Sequence, residues 1–120
     1  MVLFHDRFHA EFQVLDESLQ DELLAKFGPD LGRPAVDVLK GTKHANMKEL
    51  RFAWKRGVWR IAFAFDLKRQ AILLVGGNKE GADQRRFYKR LIAAADDRFD
   101  EHLADIAAAE ERGRKRGKKT

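Results

Sequence analysis

The sequence predicts an α+β fold, with N-terminal helices and a C-terminal helix packed on a small, mainly antiparallel sheet. Three observations lead there. Apolar residues recur at helical spacing near the start, three apolar runs of strand length follow one another in the middle, and a helical stripe fills the last third. In chain order the elements are β-α-α-β-β-β-α.

"VLFH" at the start is a short strand. Phe8, Phe12 and Leu15 then mark a helix over about residues 6–15, and Leu19, Leu23, Leu24 and Phe27 a second over about 16–27. Gly28-Pro29 stops the second helix, and "GPDLGRP" is a turn-rich connector. The strand-like runs cover residues 47–55, 58–66 and 71–78 and read as an antiparallel meander. In the second run Trp59, Ile61, Phe63 and Phe65 alternate with Val58, Arg60, Ala62 and Ala64; in the first, Leu50, Phe52 and Trp54 alternate with Glu49, Arg51 and Ala53.

These two apolar sets share a face only if paired residue numbers sum to an odd value. A two-residue turn at Arg56-Gly57, with glycine taking a positive φ, supplies that register. It pairs Trp54 with Trp59, Phe52 with Ile61 and Leu50 with Phe63, and it sets Arg51 diagonally from Arg60 on the reverse face. The third run is apolar on both faces. A four-residue loop over 67–70 would bring Lys79 to its end on the Arg60 side. "GGNKEGAD" leads into the last helix, with Asp83 as N-cap. Its stripe is Phe87, Leu91, Ile92, Ala95, Phe99, Leu103 and Ile106, with a break expected near Asp96-Asp97.

At 120 residues and 44% hydrophobic, the chain can build one core without metal or disulfide staples. Residues 1–110 are expected to form one domain and residues 111–120 a basic, disordered tail. "RGRKRGKKT", at 112–120, holds six of the 24 Lys and Arg; without it, 18 basic residues face 19 acidic ones. The net charge of +5 therefore belongs to the tail, which either adds nonspecific attraction to phosphate or keeps the protein soluble. The body is polarised instead. Residues 40–60 carry seven Lys or Arg and one acid, Glu49, while acids gather at 16–22 and 96–105. One basic face on a neutral body suits a polyanion. The absence of cysteine excludes disulfides and thiolate metal sites and fits a reducing cytoplasm. Asp6, Arg7 and His9 interrupt any signal-peptide pattern, and no apolar run is long enough to span a membrane.

The strongest cluster for chemistry joins Arg51 and Arg60 on one sheet face, Lys79 after the last strand, and "RRFYKR" at 85–90. Cleaving RNA without metal requires a proton taken from the 2′-hydroxyl, charge stabilised on the crowded phosphorane, and a proton given to the leaving 5′-oxygen. Fixed guanidinium and ammonium groups meet the second need. A solvated basic sheet face is the simpler account of the same pattern.

Tyr88, the only tyrosine, sits beside Phe87 with Leu91 and Ile92 three and four positions on, which suits packing. It becomes a base only if cations such as Arg85 and Lys89 lower its pKa from about 10, and it is also suited to stacking on an RNA base. His44, in the basic loop "KGTKHANMKE", would titrate near neutrality or bond phosphate. His5 and His9 lack a third ligand, so no metal site is expected, and His102 reads as a surface residue.

Taken in order, "GPDLGRPAVDVLKGTKHANMKELRF", "WRIAFAFD", "AILLVGGNK" and "RFYKRLIAAADDRFDEHL" resemble the RelE/HigB superfamily of type II toxins. The match is closest to the phage-derived, HigB-like branch and covers residues 4–106. The resemblance implies a RelE-like fold and a small mRNA endonuclease (an mRNA interferase) that needs no metal or other cofactor. It implies cleavage of transcripts in the ribosome, growth arrest, and neutralisation by an antitoxin, commonly a helix-turn-helix protein of the Xre type.

Carried onto this chain, Arg60 in "WR" matches the arginine that contacts the scissile phosphate, Lys79 in "GGNK" the cation after the last strand, and Tyr88 in "RFYKR" the C-terminal tyrosine. These three are expected to be catalytic. Arg51 fits the basic position of the second strand, Lys48 substitutes for another, and Glu49 stands where a cation is common. Lys43, His44, Lys48, Arg51, Lys55, Arg56 and Arg85 are expected to hold mRNA or ribosomal RNA. Several HigB relatives use histidines near the C-terminus; no such cluster exists here, which leaves the general base open. The other function the resemblance allows is a non-catalytic binder: a ParE-like gyrase inhibitor, or a degenerate toxin retained for binding RNA or a partner.

Overall fold

The computed structural model describes residues 2–27, 36–79 and 83–117, with side chains described as far as Arg114. The connector at 28–34 lies outside the described residues. Five strands, β1 (Val2–Phe4), β2 (Val36–Val38), β3 (Met47–Trp54), β4 (Gly57–Phe65) and β5 (Ala71–Asn78), form one sheet in the order β1-β5-β4-β3-β2. β1 runs parallel to β5 and the other neighbours are antiparallel. Helices α1 (Asp6–Gln13) and α2 (Glu17–Lys26) precede β2, and α3 (Gln84–Gly117) follows β5. The α+β architecture with helices on a mainly antiparallel sheet is as expected.

Period-2 alternation splits the apolar residues between two cores, one on each side of the sheet. Leu50, Phe52, Ile61, Phe63 and Leu73 pack under Phe8 and Phe12 of α1 and Leu19 and Leu23 of α2. Met47, Ala62, Ala64, Ile72 and Leu74 face Leu91, Ala95 and Phe99 of α3. The alanines of β4 let the long helix lie close to the sheet. Leu24 falls outside the first core and is 48% exposed.

Local capping fixes the helix starts. The Asp16 carboxylate accepts the Ser18 amide at 2.8 Å, and the His5 Nδ1 accepts the Arg7 amide at 3.1 Å. Asp83 accepts the Arg85 and Arg86 amides at 2.8 and 3.2 Å, as its N-cap position predicts. No break occurs at Asp96-Asp97, and α3 continues to Gly117. Asp96 serves instead as an anchor, accepting the Lys43 amide at 3.2 Å.

Three expectations need correction. β2 was not expected; with Asp37 and Val38 exposed, its three residues carry no burial pattern to mark it. The β3–β4 register differs by two residues. Trp54 pairs with Gly57, Phe52 with Trp59 and Leu50 with Ile61, so the turn is Lys55-Arg56 and Arg51 lies directly across from Arg60. Lys55, not a glycine, takes the positive φ of 54°. Gly57 is needed for another reason: a β-carbon there would sit 2.5 Å from the Asn78 side chain.

The β4–β5 connection is also one residue longer than expected, because Phe65 pairs with Ala71. Asp66 ties that loop together by accepting the Lys68 and Gln70 amides at 2.9 and 3.0 Å. A bulge then shifts the register opposite Ala62 and Phe63, so both Leu74 and Val75 face α3. The extra residue restores the parity, and Gly77 pairs with Arg60. Arg98 seals the irregularity. Its guanidinium donates to the Leu74 carbonyl at 2.8 Å and forks onto Glu11 at 2.8 and 2.7 Å, joining α3, β5 and α1.

Candidate functional site

Arg51 and Arg60, paired across β3 and β4, both face α3. The helix meets them with Tyr88 in its second turn. Arg60 Nε donates to the Tyr88 hydroxyl oxygen at 2.7 Å, and its guanidinium lies 5.8 Å from the Phe87 ring centre and 5.7 Å from that of Tyr88. The Tyr88 hydroxyl in turn donates to Glu49 Oε1 at 3.2 Å. Arg51 Nε lies 3.4 Å from the same oxygen, and its outer nitrogen lies 3.8 Å from Asp37. Glu49, Arg51 and Tyr88, together with Asp37, Lys40 and Gln84, line a groove of about 490 Å³ between β2, β3 and the start of α3.

The tyrosine is not made acidic by its neighbours. Burial pushes the Tyr88 hydroxyl above its ordinary pKa, the Glu49 carboxylate adds to the rise, and the bond from Arg60 opposes it without reversing it. The cations that face its oxygen differ from those expected: Arg60 on the sheet takes the place of Arg85 and Lys89 on the helix. At neutral pH Tyr88 keeps its proton, which suits it to giving one rather than taking one.

Of the residues singled out in the sequence, Arg51, Arg60 and Tyr88 come together. Lys79 joins them through the helix: its ammonium donates to Gln84 at 2.8 Å, and Gln84 lies one turn before Tyr88 on the groove wall. Arg85 is exposed in the first turn of α3. Lys55 and Arg56 occupy the hairpin turn, where Lys55 stacks 4.4 Å from the Trp54 ring and a separate hollow of about 520 Å³ opens against Asn78. By alternation Lys48 belongs to the α1–α2 face, opposite to Arg51.

Lys43 and His44 are placed further still. Both bind Asp100 of α3, His44 Nε2 at 2.8 Å with its ring edge-on to Phe99. Twelve residues of helix put Asp100 roughly 18 Å along the axis from Tyr88.

His102 is not a free surface group but pairs with Asp66 at 2.9 Å. His5 bonds Glu101 at 2.9 Å, and His9 packs edge-on to Phe4. Among the described residues no three His, Asp or Glu gather as a metal site would require, and no helix is long and apolar enough to cross a membrane. The residue that the sequence reading missed is Glu49. Its signal was present: the single acid of a basic block, on the same strand face as Arg51.

The helix-covered, mainly antiparallel sheet is RelE-like. The family model for the phage-derived protein Gp49-like matches residues 11–100, and the chain belongs to that family. Two Mycobacterium tuberculosis proteins named as toxins are similar to it. HigB2 is 48% identical over 98 residues, 81% of this chain and 48% of its own length; HigB3 is 49% identical over 83 residues, 69% of this chain and 70% of its own. The chain thus spans about half the length of HigB2. The HigB-like resemblance of the sequence is borne out.

Proposed function

We propose that this protein is the toxin of a type II toxin–antitoxin pair and acts as a metal-independent mRNA endonuclease on ribosome-bound transcripts. The observation that carries the reading is the bond between Arg60, which pairs with Arg51 across the sheet, and the protonated Tyr88, which lines one groove with Arg51. Among the described residues no carboxylate pairs with Arg60, so its charge is available to phosphate oxygens. Arg60 and Arg51 hold the scissile phosphate and stabilise the phosphorane, a role in which one removed donor typically costs on the order of 10²–10³ in rate. Tyr88 gives its proton to the leaving 5′-oxygen. Lys79 adds positive charge at the groove's end, and the exposed Arg85, Lys55 and Arg56 extend the contact to mRNA or ribosomal RNA.

The partner that silences it is an antitoxin, for which the Xre-type helix-turn-helix protein of the family is the expected class. The test is induced expression with mapping of transcript 5′ ends. Cuts within coding regions, lost in Arg60→Ala while the protein stays folded, support the reading. Intact mRNA with DNA damage would replace it with ParE-like action on gyrase.

A further inference from the structure

The tip of the β3–β4 hairpin is built against local convenience. A left-handed turn position is easiest for glycine, yet Lys55 occupies it with a φ of 54°. Strain of this kind persists only where the surroundings impose it, and it concentrates at ligand sites. The glycine one position beyond the turn serves another end, since a β-carbon on Gly57 would meet the Asn78 side chain at 2.5 Å. Trp54, Lys55, Arg56, Gly57 and Asn78 together line the hollow of about 520 Å³, a size common among small-ligand sites. Its wall holds one large aromatic ring, with the Lys55 ammonium 4.4 Å from the ring centre, and no carboxylate. Among the described residues neither Lys55 nor Arg56 forms an ion pair. Asp16 lies within reach of the Lys55 charge, but its carboxylate is bonded to the Ser18 amide and hydroxyl.

An aromatic face flanked by unpaired cations suits a flat ring that carries a phosphate on either side. Resting on the reading of the neighbouring groove as an RNA-cleaving site, we propose that this hollow holds one nucleobase of the single-stranded substrate, stacked on Trp54. Gly57 lies three residues before Arg60 on β4, roughly 10 Å along the strand, so the bound base belongs to a nucleotide close to the cut. By alternation Trp54 faces α1 and α2, while Arg60 faces α3. The RNA therefore bends over the rim of the sheet at the Lys55-Arg56 turn, as a single strand can and a duplex cannot. Stacking of a base is stronger than one solvent-exposed contact between an ammonium and a ring, so the base displaces Lys55 from Trp54. The released ammonium and Arg56 then hold the phosphates on either side of it. Every base has a face to stack, so the hollow adds affinity and sets the strand's position without reading its sequence.

The test reads Trp54 directly. Trp59→Phe leaves Trp54 as the only indole, and the buried Trp59 Nε1 has no partner among the described residues to be lost. A short single-stranded RNA, 2′-deoxy at the cut so that it binds uncleaved, is titrated at low salt. It is compared with a series of the same RNA carrying one abasic site at each position in turn. The intact RNA should quench Trp54 fluorescence. One abasic position beside the cut should abolish the quench and weaken binding about ten-fold. Trp54→Ala should weaken binding of the intact RNA about ten-fold and leave binding of that one abasic RNA as it was. Absence of quenching, quenching indifferent to every abasic position, or a loss in Trp54→Ala that persists on all the abasic RNAs would overturn the base site. If Trp54→Ala melts early, the abasic series on the Trp59→Phe protein decides alone. Wild type that leaves both ribosome-bound and free mRNA uncut would remove the cleavage reading, while the quenching still decides whether the hollow takes a base.

Discussion

The two ends of the α3 contact with the body are built from opposite electrostatics. Around residues 96–102, α3 and four other segments are joined by carboxylates meeting cations or imidazoles: Lys43 and His44 on Asp100, His5 and Arg7 on Glu101, Arg98 on Glu11, and His102 on Asp66. Around residues 84–92, Arg51 meets the buried Glu49, and Arg60 leans on a phenol, a carbonyl and two ring faces. Satisfied charge fastens a helix. Charge left in excess under the same helix is a demand for a ligand that brings its own anions, and a phosphodiester does so.

Substitutions can test that division. The largest effect is expected at Arg60→Ala, with cleavage reduced about 10³-fold and the melting temperature nearly unchanged, read by transcript-end mapping alongside thermal unfolding. Tyr88→Phe should follow at about 100-fold, without loss of RNA binding. At the fastened end the currency changes to stability. Asp66→Ala should lower it by about 2–3 kcal/mol in urea unfolding, since a buried acceptor of three hydrogen bonds is lost, while the folded fraction cuts RNA normally. The smallest effect belongs to Lys43→Ala, a slight fall in melting temperature that added salt erases, because its pair with Asp100 is exposed. A loss of cleavage in Lys43→Ala would show that the two ends are not independent.

Asp66 also sets an acid limit. Burial alone would raise its pKa, but the bonds from His102 and from the Gln70 and Lys68 amides outweigh that and hold it below the usual range. A depressed folded pKa means the stabilisation is present above the unfolded value of about 3.9 and is lost as pH falls through the folded one. Asp66→Asn should therefore flatten the decline in stability below about pH 4, measured by unfolding at stepped pH.

Much of the fold was legible in the sequence because alternation in β3 and β4 reports faces directly. The hairpin register was off by two residues, yet Arg51 and Arg60 still share the α3 face, since a shift of two preserves parity. Lys79 likewise kept its side because the longer β4–β5 loop and the bulge at Leu74 cancel. What spacing could not show is which charges are already answered. His102 sits beside three acids in sequence but bonds Asp66, 36 residues away. His44 lies in a basic loop but is claimed by Asp100 across the molecule. Tyr88 has arginine and lysine on either side, yet the groups that set its proton affinity come from strands 28 and 39 residues distant.

The extra residue at Leu74 makes strand β5 intolerant of miscounting. Deleting a position beyond it, such as Gly76, with the bulge retained would turn Gly77, Asn78 and Lys79 inside out, driving the Asn78 side chain into the gap against Phe87 and swinging the lysine to the wrong wall. Spelling can vary along that stretch; its length cannot.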